Sequence, residues 1–417
     1  MTEEIRRFVG VDWASEEHQV CVLDGQGEVV GEKVVAHSGD GLDTLVRWLS
    51  DLADGDVTAV HVAIEVPHGA VVETLLERSF TVYAINPKQL DRFRDRFTVA
   101  GAKDDRLDAL VLADSLRTDR HCYRKLRPDD PGVVELREWS RMADELKQER
   151  VRLSNRMRQQ LRRYYPQMLE LEQKVSAPWL LDLWEIMPTP AKAASARKAA
   201  VTRLLKKHRI RRVDATAVLK TLRQKPLTVA PGTTAAATAH IGGVVERIRV
   251  VNKQYNQATR RLDELCRRVA KQEEGDESDD QCEQHDVEIL RSLPGVGRIV
   301  LAVLLAEAYR ALEARDYHAL RALCGVAPVT RRSGKRTVVV MRKACHPRLR
   351  DAVYHWARVA TQCDPKSKAK YAELRARGKS HGRALRSVAD RLLAVMCAML
   401  RDGTLYNAEL HPVMLAA

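Results

Sequence analysis

Aromatic side chains are scarce, at 5% of 417 residues, and no Cys-x-x-Cys pair occurs among the eight cysteines. A structural zinc site usually needs two such close pairs, so a zinc ribbon or finger is excluded, although Cys345 and His346 are adjacent. Reduced, mostly buried thiols in a cytosolic protein are the expectation. Long apolar runs are missing as well. The longest, Ile299 to Ala306, falls far short of a membrane span, and the first residues, Met1 to Arg7, lack the apolar centre of a signal peptide. A soluble, cytoplasmic protein with no membrane partner follows. Acidic excess is also absent: 70 Lys and Arg face 56 Asp and Glu, a formal charge of +14. Such a balance suits a polyanionic partner, nucleic acid first.

The hydrophobic pattern changes character along the chain. Phe8 to Val11, Gln19 to Leu23 and Val29 to Val35 read as three strands, the last two separated by the Gly25-Gln26-Gly27 turn. Leu42, Leu45, Val46 and Leu49 repeat at helical spacing. Val57 to Val66 alternates as a fourth strand, Ala70 to Arg78 forms a helix, and Thr81 to Ile85 forms a fifth strand stopped by Asn86-Pro87. Three hairpin-linked strands followed by helix, strand, helix and strand is the order of a ribonuclease-H-like α/β domain, assigned to residues 1–125.

From about residue 103 the pattern is helical. Residues 126–272 predict a long helical, coiled-coil connection with a kink at Pro166, then a basic stretch. Residues 190–226 there carry twelve Lys or Arg and one acid, Asp214. A further helix is expected over about 237–272. Residues 273–286 hold eight acids and read as a solvated linker. Residues 287–417 predict a helical C-terminal domain.

Two sets of residues carry candidate chemistry. Asp12 directly follows the first strand and Glu65 ends the fourth, and in this fold those strands are neighbours. Asp105 and Asp108 open a helix three residues apart, on one face. Four carboxylates brought together repel unless a cation joins them, and hard oxygen donors suit Mg²⁺ or Mn²⁺. Alone, Asp105 and Asp108 would complement a helix dipole. In the C-terminal part, Leu293-Pro294-Gly295-Val296-Gly297 between apolar helices matches a helix-hairpin-helix, whose Gly295 and Gly297 let backbone amides approach a phosphate. Residues 331–350 carry eight Lys or Arg and no acid. Arg331, Arg332, Lys335, Arg336, Arg342 and Lys343 are therefore candidate DNA contacts, and Ser333 stands among them in a loop.

Together, Asp12, Glu65, Lys103-x-Asp105-x-x-Asp108-Ala109, Pro294-Gly295-Val296-Gly297, Gly325-Val326-Ala327-Pro328 and Ser333-Gly334 resemble the DEDD transposases of insertion-sequence-110 type, relatives of the pilin-inversion recombinase. The resemblance covers roughly residues 8–170 and 287–400. It implies a site-specific DNA recombinase whose RuvC-like N-terminal domain holds Mg²⁺ through Asp12, Glu65, Asp105 and Asp108. It also implies a covalent link from Ser333 to DNA, a structured bridge RNA as guide, and a homo-oligomer, dimer or tetramer, with composite sites in a prokaryotic cytoplasm. The chain departs from that family at Glu65-Val66-Pro67-His68-Gly69, at Arg332 where a second serine is common, and in its long basic centre. Few aromatics for stacking make RNA duplex or backbone the expected target. A metal-dependent junction nuclease without serine chemistry, a nucleic-acid scaffold, and a tyrosine recombinase using His346, Arg348, Arg350 and Tyr354 remain alternative readings.

Overall fold

The computed structural model describes residues 5–97, 104–272, 286–334 and 336–408. Contacts divide the chain once, into Met1–Asp130 and Pro131–Ala417.

The N-terminal unit is a mixed sheet between two layers of helix. In chain order it contains β1 (Arg7–Asp12), β2 (Glu17–Leu23), β3 (Val29–Ala36), α1 (Gly39–Asp51), β4 (Val60–Ile64), α2 (Ala70–Glu77), β5 (Thr81–Ala84), α3 (Pro87–Arg94), α4 (Asp105–Asp119) and β6 (Arg124–Lys125). The sheet order is β3-β2-β1-β4-β5-β6. β1 to β3 form an antiparallel meander, and β4 and β5 add in parallel beside β1. Period-two alternation decides which helices cover which face. Val9, Val11, Val20, Val22, Val60, Val62 and Ile64 pack against α1 and α2. Phe8, Cys21, Leu23, Ala63 and Tyr83 pack against α3 and α4. The fourth strand starts at Val60 rather than Val57, because Asp56 caps a short 3-10 turn over Val57–Ala59. β6 is a two-residue edge strand too short to leave a pattern.

Among its described residues the second unit is helical except for one hairpin. α5 (Pro131–Tyr164) and α11 (Thr233–Gln272) pack along one another as its two long members. Between them run α6 (Gln167–Leu171), α7 (Pro178–Ile186), α8 (Pro190–Ser195), α9 (Lys198–Lys207) and α10 (Ala215–Leu222). α5 ends at Tyr164 and Pro166 caps α6, so the expected break falls where proline requires it. Then come α12 (Asp286–Ser292), α13 (Arg298–Glu313), α14 (Tyr317–Leu323), β7 (Val329–Ser333), β8 (Arg336–Val340), α15 (Pro347–Cys363), α16 (Pro365–Ala376) and α17 (His381–Asp402). The acidic stretch lies outside the described residues apart from Asp286, the first residue of α12. Helices on its two sides share one core: Leu146 and Leu161 of α5, Ile248 and Leu262 of α11, and Leu304 and Leu305 of α13 belong to a single cluster. Among the described residues no helix is long and apolar enough to cross a membrane.

Candidate functional site

The carboxylate site is built on the β1–β4 pairing. Val11 lies opposite Ile64 in parallel register, so the next residues, Asp12 and Glu65, emerge side by side at the same end of the sheet. α4 crosses β1 directly at Gly10. A Cβ at that position would stand 1.9 Å from the Ala109 carbonyl oxygen and 2.7 Å from the Ala113 amide. Only glycine permits this approach, and it seats the helix carrying Asp105 and Asp108 onto the strand carrying Asp12.

Three contacts fix the start of α4. The Asp104 carboxylate accepts from the Arg106 amide and caps the helix. The Arg106 guanidinium reaches Glu32 of β3 at 2.6 Å. Asp108 is buried, and the Arg94 Nε of α3 donates to its Oδ1 at 2.6 Å while Arg94 Nη1 reaches Asp91 at 2.9 Å. Asp105 is exposed and Glu65 half-buried. Asp12 and Glu65 are thus neighbours, and Asp108 is turned to a guanidinium. Among the described residues, no three of the four carboxylates place oxygens within 4.8 Å of one another.

Sequence reasoning missed the histidines beside this site. His18 is buried, its Nε2 lies 2.9 Å from His37 Nδ1, and its Nδ1 accepts from the Ala14 amide at 3.4 Å. Trp13 stacks on His18. Burial, and then His37, hold His18 below the ordinary histidine pKa. His68, three residues past Glu65, is exposed. Asp119, His121 and Cys122, at the other end of α4, place three ligand atoms within 4.8 Å of one another and could hold a metal. A 14-residue helical rise of about 1.5 Å each separates them from Asp105 by about 21 Å, so this group is distinct from the carboxylates. His121-Cys122 was the available signal, a second adjacent His/Cys pair.

In the second unit Ser333 closes a β-hairpin, which corrects the expected loop in an all-helical domain. Ser333 pairs with Arg336 across the strands, and both are exposed with Arg331 and Arg332. Lys343 is exposed and Arg342 half-buried, while Lys335 lies outside the described residues. The two glycines of the α12–α13 turn differ. Gly295 has φ +83°, and a Cβ there would meet the Ala360 amide of α15 at 2.9 Å, so packing as well as turn geometry demands glycine. Trp356 Nε1 donates to the Pro294 carbonyl at 2.9 Å and ties the same turn to α15. Gly297 is exposed, caps α13 without a side chain, and faces open space.

A buried acid absorbs the His-x-Arg motif. The Glu307 side chain of α13 is 4% exposed and bonded to Arg348, with His346 at 3.4 Å, Arg141 at 3.5 Å and Arg137 at 4.0 Å. Arg348 also donates to Ser140 Oγ at 2.8 Å, which binds α5, α13 and the start of α15 together. Burial lowers the His346 pKa against the opposing pull of Glu307. His346 and Arg348 therefore serve a packed ion cluster.

A mixed sheet that sets two acids on adjacent strand ends under a crossing helix is consistent with the ribonuclease-H-like class, here joined to a helical part. A transposase family model of the IS110 DEDD type matches residues 9–166, and a model for the transposase IS116/IS110/IS902 family matches residues 287–372. The proposed mini-circle transposase for IS117 of Streptomyces coelicolor is 32% identical over 98% of both chains. The proposed transposase y4uE of Sinorhizobium fredii is 59% identical over 52% of this chain, a match spanning 60% of that relative. An insertion element IS900 protein of Mycobacterium paratuberculosis is 26% identical over 96% of this chain and 97% of its own. The chain belongs to the IS110-type family of insertion-sequence transposases.

Proposed function

We propose that the chain cuts and rejoins DNA strands of an insertion sequence, with Mg²⁺ or Mn²⁺ held by Asp12, Glu65, Asp105 and Asp108 and with Ser333 as nucleophile. The observation that carries the reading is the Val11–Ile64 register, which makes Asp12 and Glu65 neighbours, together with the seating of α4 on Gly10. In donor type the set suits such an ion, with hard carboxylate oxygens at one sheet end and on the first turn of the helix above it; binding would draw the four together and take Asp108 from Arg94. When bound, the ion supplies charge stabilisation and activation of an oxygen nucleophile in phosphodiester chemistry.

Ser333 is exposed on a hairpin whose neighbours are arginines, which suits attack on a phosphate. Its Oγ gives up its proton and bonds to phosphorus, the bond from phosphorus to one bridging ester oxygen breaks, and that departing oxygen takes up a proton to become the free strand hydroxyl. Attack by a second strand's hydroxyl reverses the step, rejoins the backbone and releases the serine. Arg331, Arg332, Lys335 and Arg336 offset charge on the phosphoryl oxygens. Lys343, Arg342 and the helix-hairpin-helix amide of Gly297 hold flanking phosphates, and Gly295 keeps that turn packed. The carboxylates and the serine lie in different units, in keeping with a homo-oligomer, dimer or tetramer, that assembles composite sites, its long helices forming the coiled-coil connection. α9 and α10 present the basic face for a structured bridge RNA. In this scheme the acidic linker at 273–286 joins the long helices to a C-terminal part from 287 that shares their core.

The deciding experiment replaces Ser333 with Ala in the full chain and looks for a protein–DNA adduct with a DNA carrying the element's ends. Loss of adduct and recombination with divalent-ion binding intact supports the serine. Full recombination by the variant refutes the serine nucleophile.

A further inference from the structure

We propose that a cavity at the base of the Ser333 hairpin is a binding site for one phosphodiester of a single nucleic-acid strand. The inference deepens the nucleic-acid reading above and rests on it. The cavity, of about 360 Å³, lies between the end of β8, α14 and the first turns of α17. That volume is at the lower end of the roughly 300–1,000 Å³ of small-ligand pockets, enough for a phosphate with part of its nucleotide and too small for a duplex.

Its walls are cationic. Arg321, Arg342, Arg383 and Arg386 line it, against one acid, Asp390. Asp390 is already engaged: Arg321 Nε donates to Oδ1 at 3.0 Å and Nη2 to Oδ2 at 2.6 Å, and Tyr317 Oη adds a bond at 3.0 Å. This pairing fixes Arg321 and leaves no carboxylate for the others. Among the described residues Arg342, Arg383 and Arg386 form no ion pair. Arg342 Nε is buried with no hydrogen-bond partner, and Arg386 Nη1 rests on the Met341 sulfur at 3.3 Å, a weak acceptor.

Unpaired guanidinium groups in a concavity lack compensation that an anion would supply, and the geometry says which kind. Ser380, Arg383, Ser387 and Asp390 repeat at intervals of three and four on one face of α17. Ser380 is also the N-cap of that 22-residue helix and makes no side-chain cap bond, so the positive helix end adds to the arginines. A guanidinium cluster with backbone amides matches the oxygens of a phosphate. Arg342 was a candidate DNA contact on charge alone; Arg383 and Arg386 were not, because about forty residues of chain separate Arg342 from them.

The test is fluorescence anisotropy of the full chain with a labelled single-stranded DNA, the same sequence as single-stranded RNA, and its DNA duplex, across salt concentrations. For Arg383→Ala/Arg386→Ala, the slope of log affinity against log salt should shrink by about 0.7 for each phosphate of a single strand that is no longer neutralised, and Arg383→Lys/Arg386→Lys should keep it. The DNA and RNA arms tell which strand enters. An unchanged slope in both single-strand arms, with circular dichroism showing a folded variant, overturns the proposal, as does a change confined to the duplex. Failure of the unaltered protein to bind any of the three would instead overturn the nucleic-acid reading itself.

Discussion

Replacing Arg94 with methionine keeps most of the side-chain volume and removes the guanidinium 2.6 Å from Asp108. The Asp108 side chain is 4% exposed and that of Arg94 is 20% exposed. Breaking a buried pair from one side costs about 3–5 kcal/mol. The partial exposure of Arg94 lets water screen some of this, so about 2–3 kcal/mol is the expected loss. A unit near 130 residues then melts roughly 6–12 °C lower, at about 3–4 °C per kcal/mol. The assay is calorimetry of the full chain in chelator, following the N-terminal transition. Adding Asp108→Asn to Arg94→Met should recover much of the loss, because the unmatched charge is gone. If Asp108 ligates a divalent ion, millimolar Mn²⁺ should raise the melting point of Arg94→Met by more than that of the unaltered protein, the ion replacing the missing cation. An Arg94→Met melt indistinguishable from the unaltered protein in chelator would refute the argument.

Two other perturbations probe the same unit. Gly10→Ala drives a methyl into the Ala109 carbonyl and Ala113 amide of α4, which cannot rotate aside; the loss should reach the upper part of the roughly 1–3 kcal/mol range for overpacking. Urea unfolding reads that loss, Mn²⁺ affinity should fall as α4 shifts, and unaltered values in both would contradict the close approach. His61 is buried between Phe8 and Tyr83, its Nδ1 is unpartnered, and burial, with Arg120 and Lys125, lowers its pKa from 6.5 to about 4. The unfolded chain therefore takes up the proton first as pH falls. Stability is full above pH 6.5 and declines as pH drops toward about 4, and His61→Phe should flatten that segment of the curve. An identical pH profile for the two proteins would count against the neutral buried ring.

Alternation and turn residues made β1 to β5 legible, and the strand order then placed Asp12 beside Glu65. What escaped were relations between distant residues. Arg94 and Asp108 are fourteen apart in sequence and meet only because α3 and α4 pack on the same sheet face. The Ser333 hairpin buries neither face, since every strand residue except its end pair Val329 and Val340 is exposed, and it read as a loop. Glu307 left a usable trace: it follows the apolar run from Ile299 to Ala306 and falls one helical turn after buried Val303, a place where an acid needs partners. Its partners come from α5 and from the start of α15, and no local pattern names them.

The core shared across residues 273–285 has a practical meaning for the molecule's history and handling. Because α5, α11 and α13 supply one another's apolar cover, severing the backbone in the acidic stretch would leave two fragments that still complete a single hydrophobic interior. Insertions and deletions there can accumulate without separating the serine hairpin from the long helices. The fragment bearing Ser333, expressed alone, would expose the apolar face that α5 normally covers.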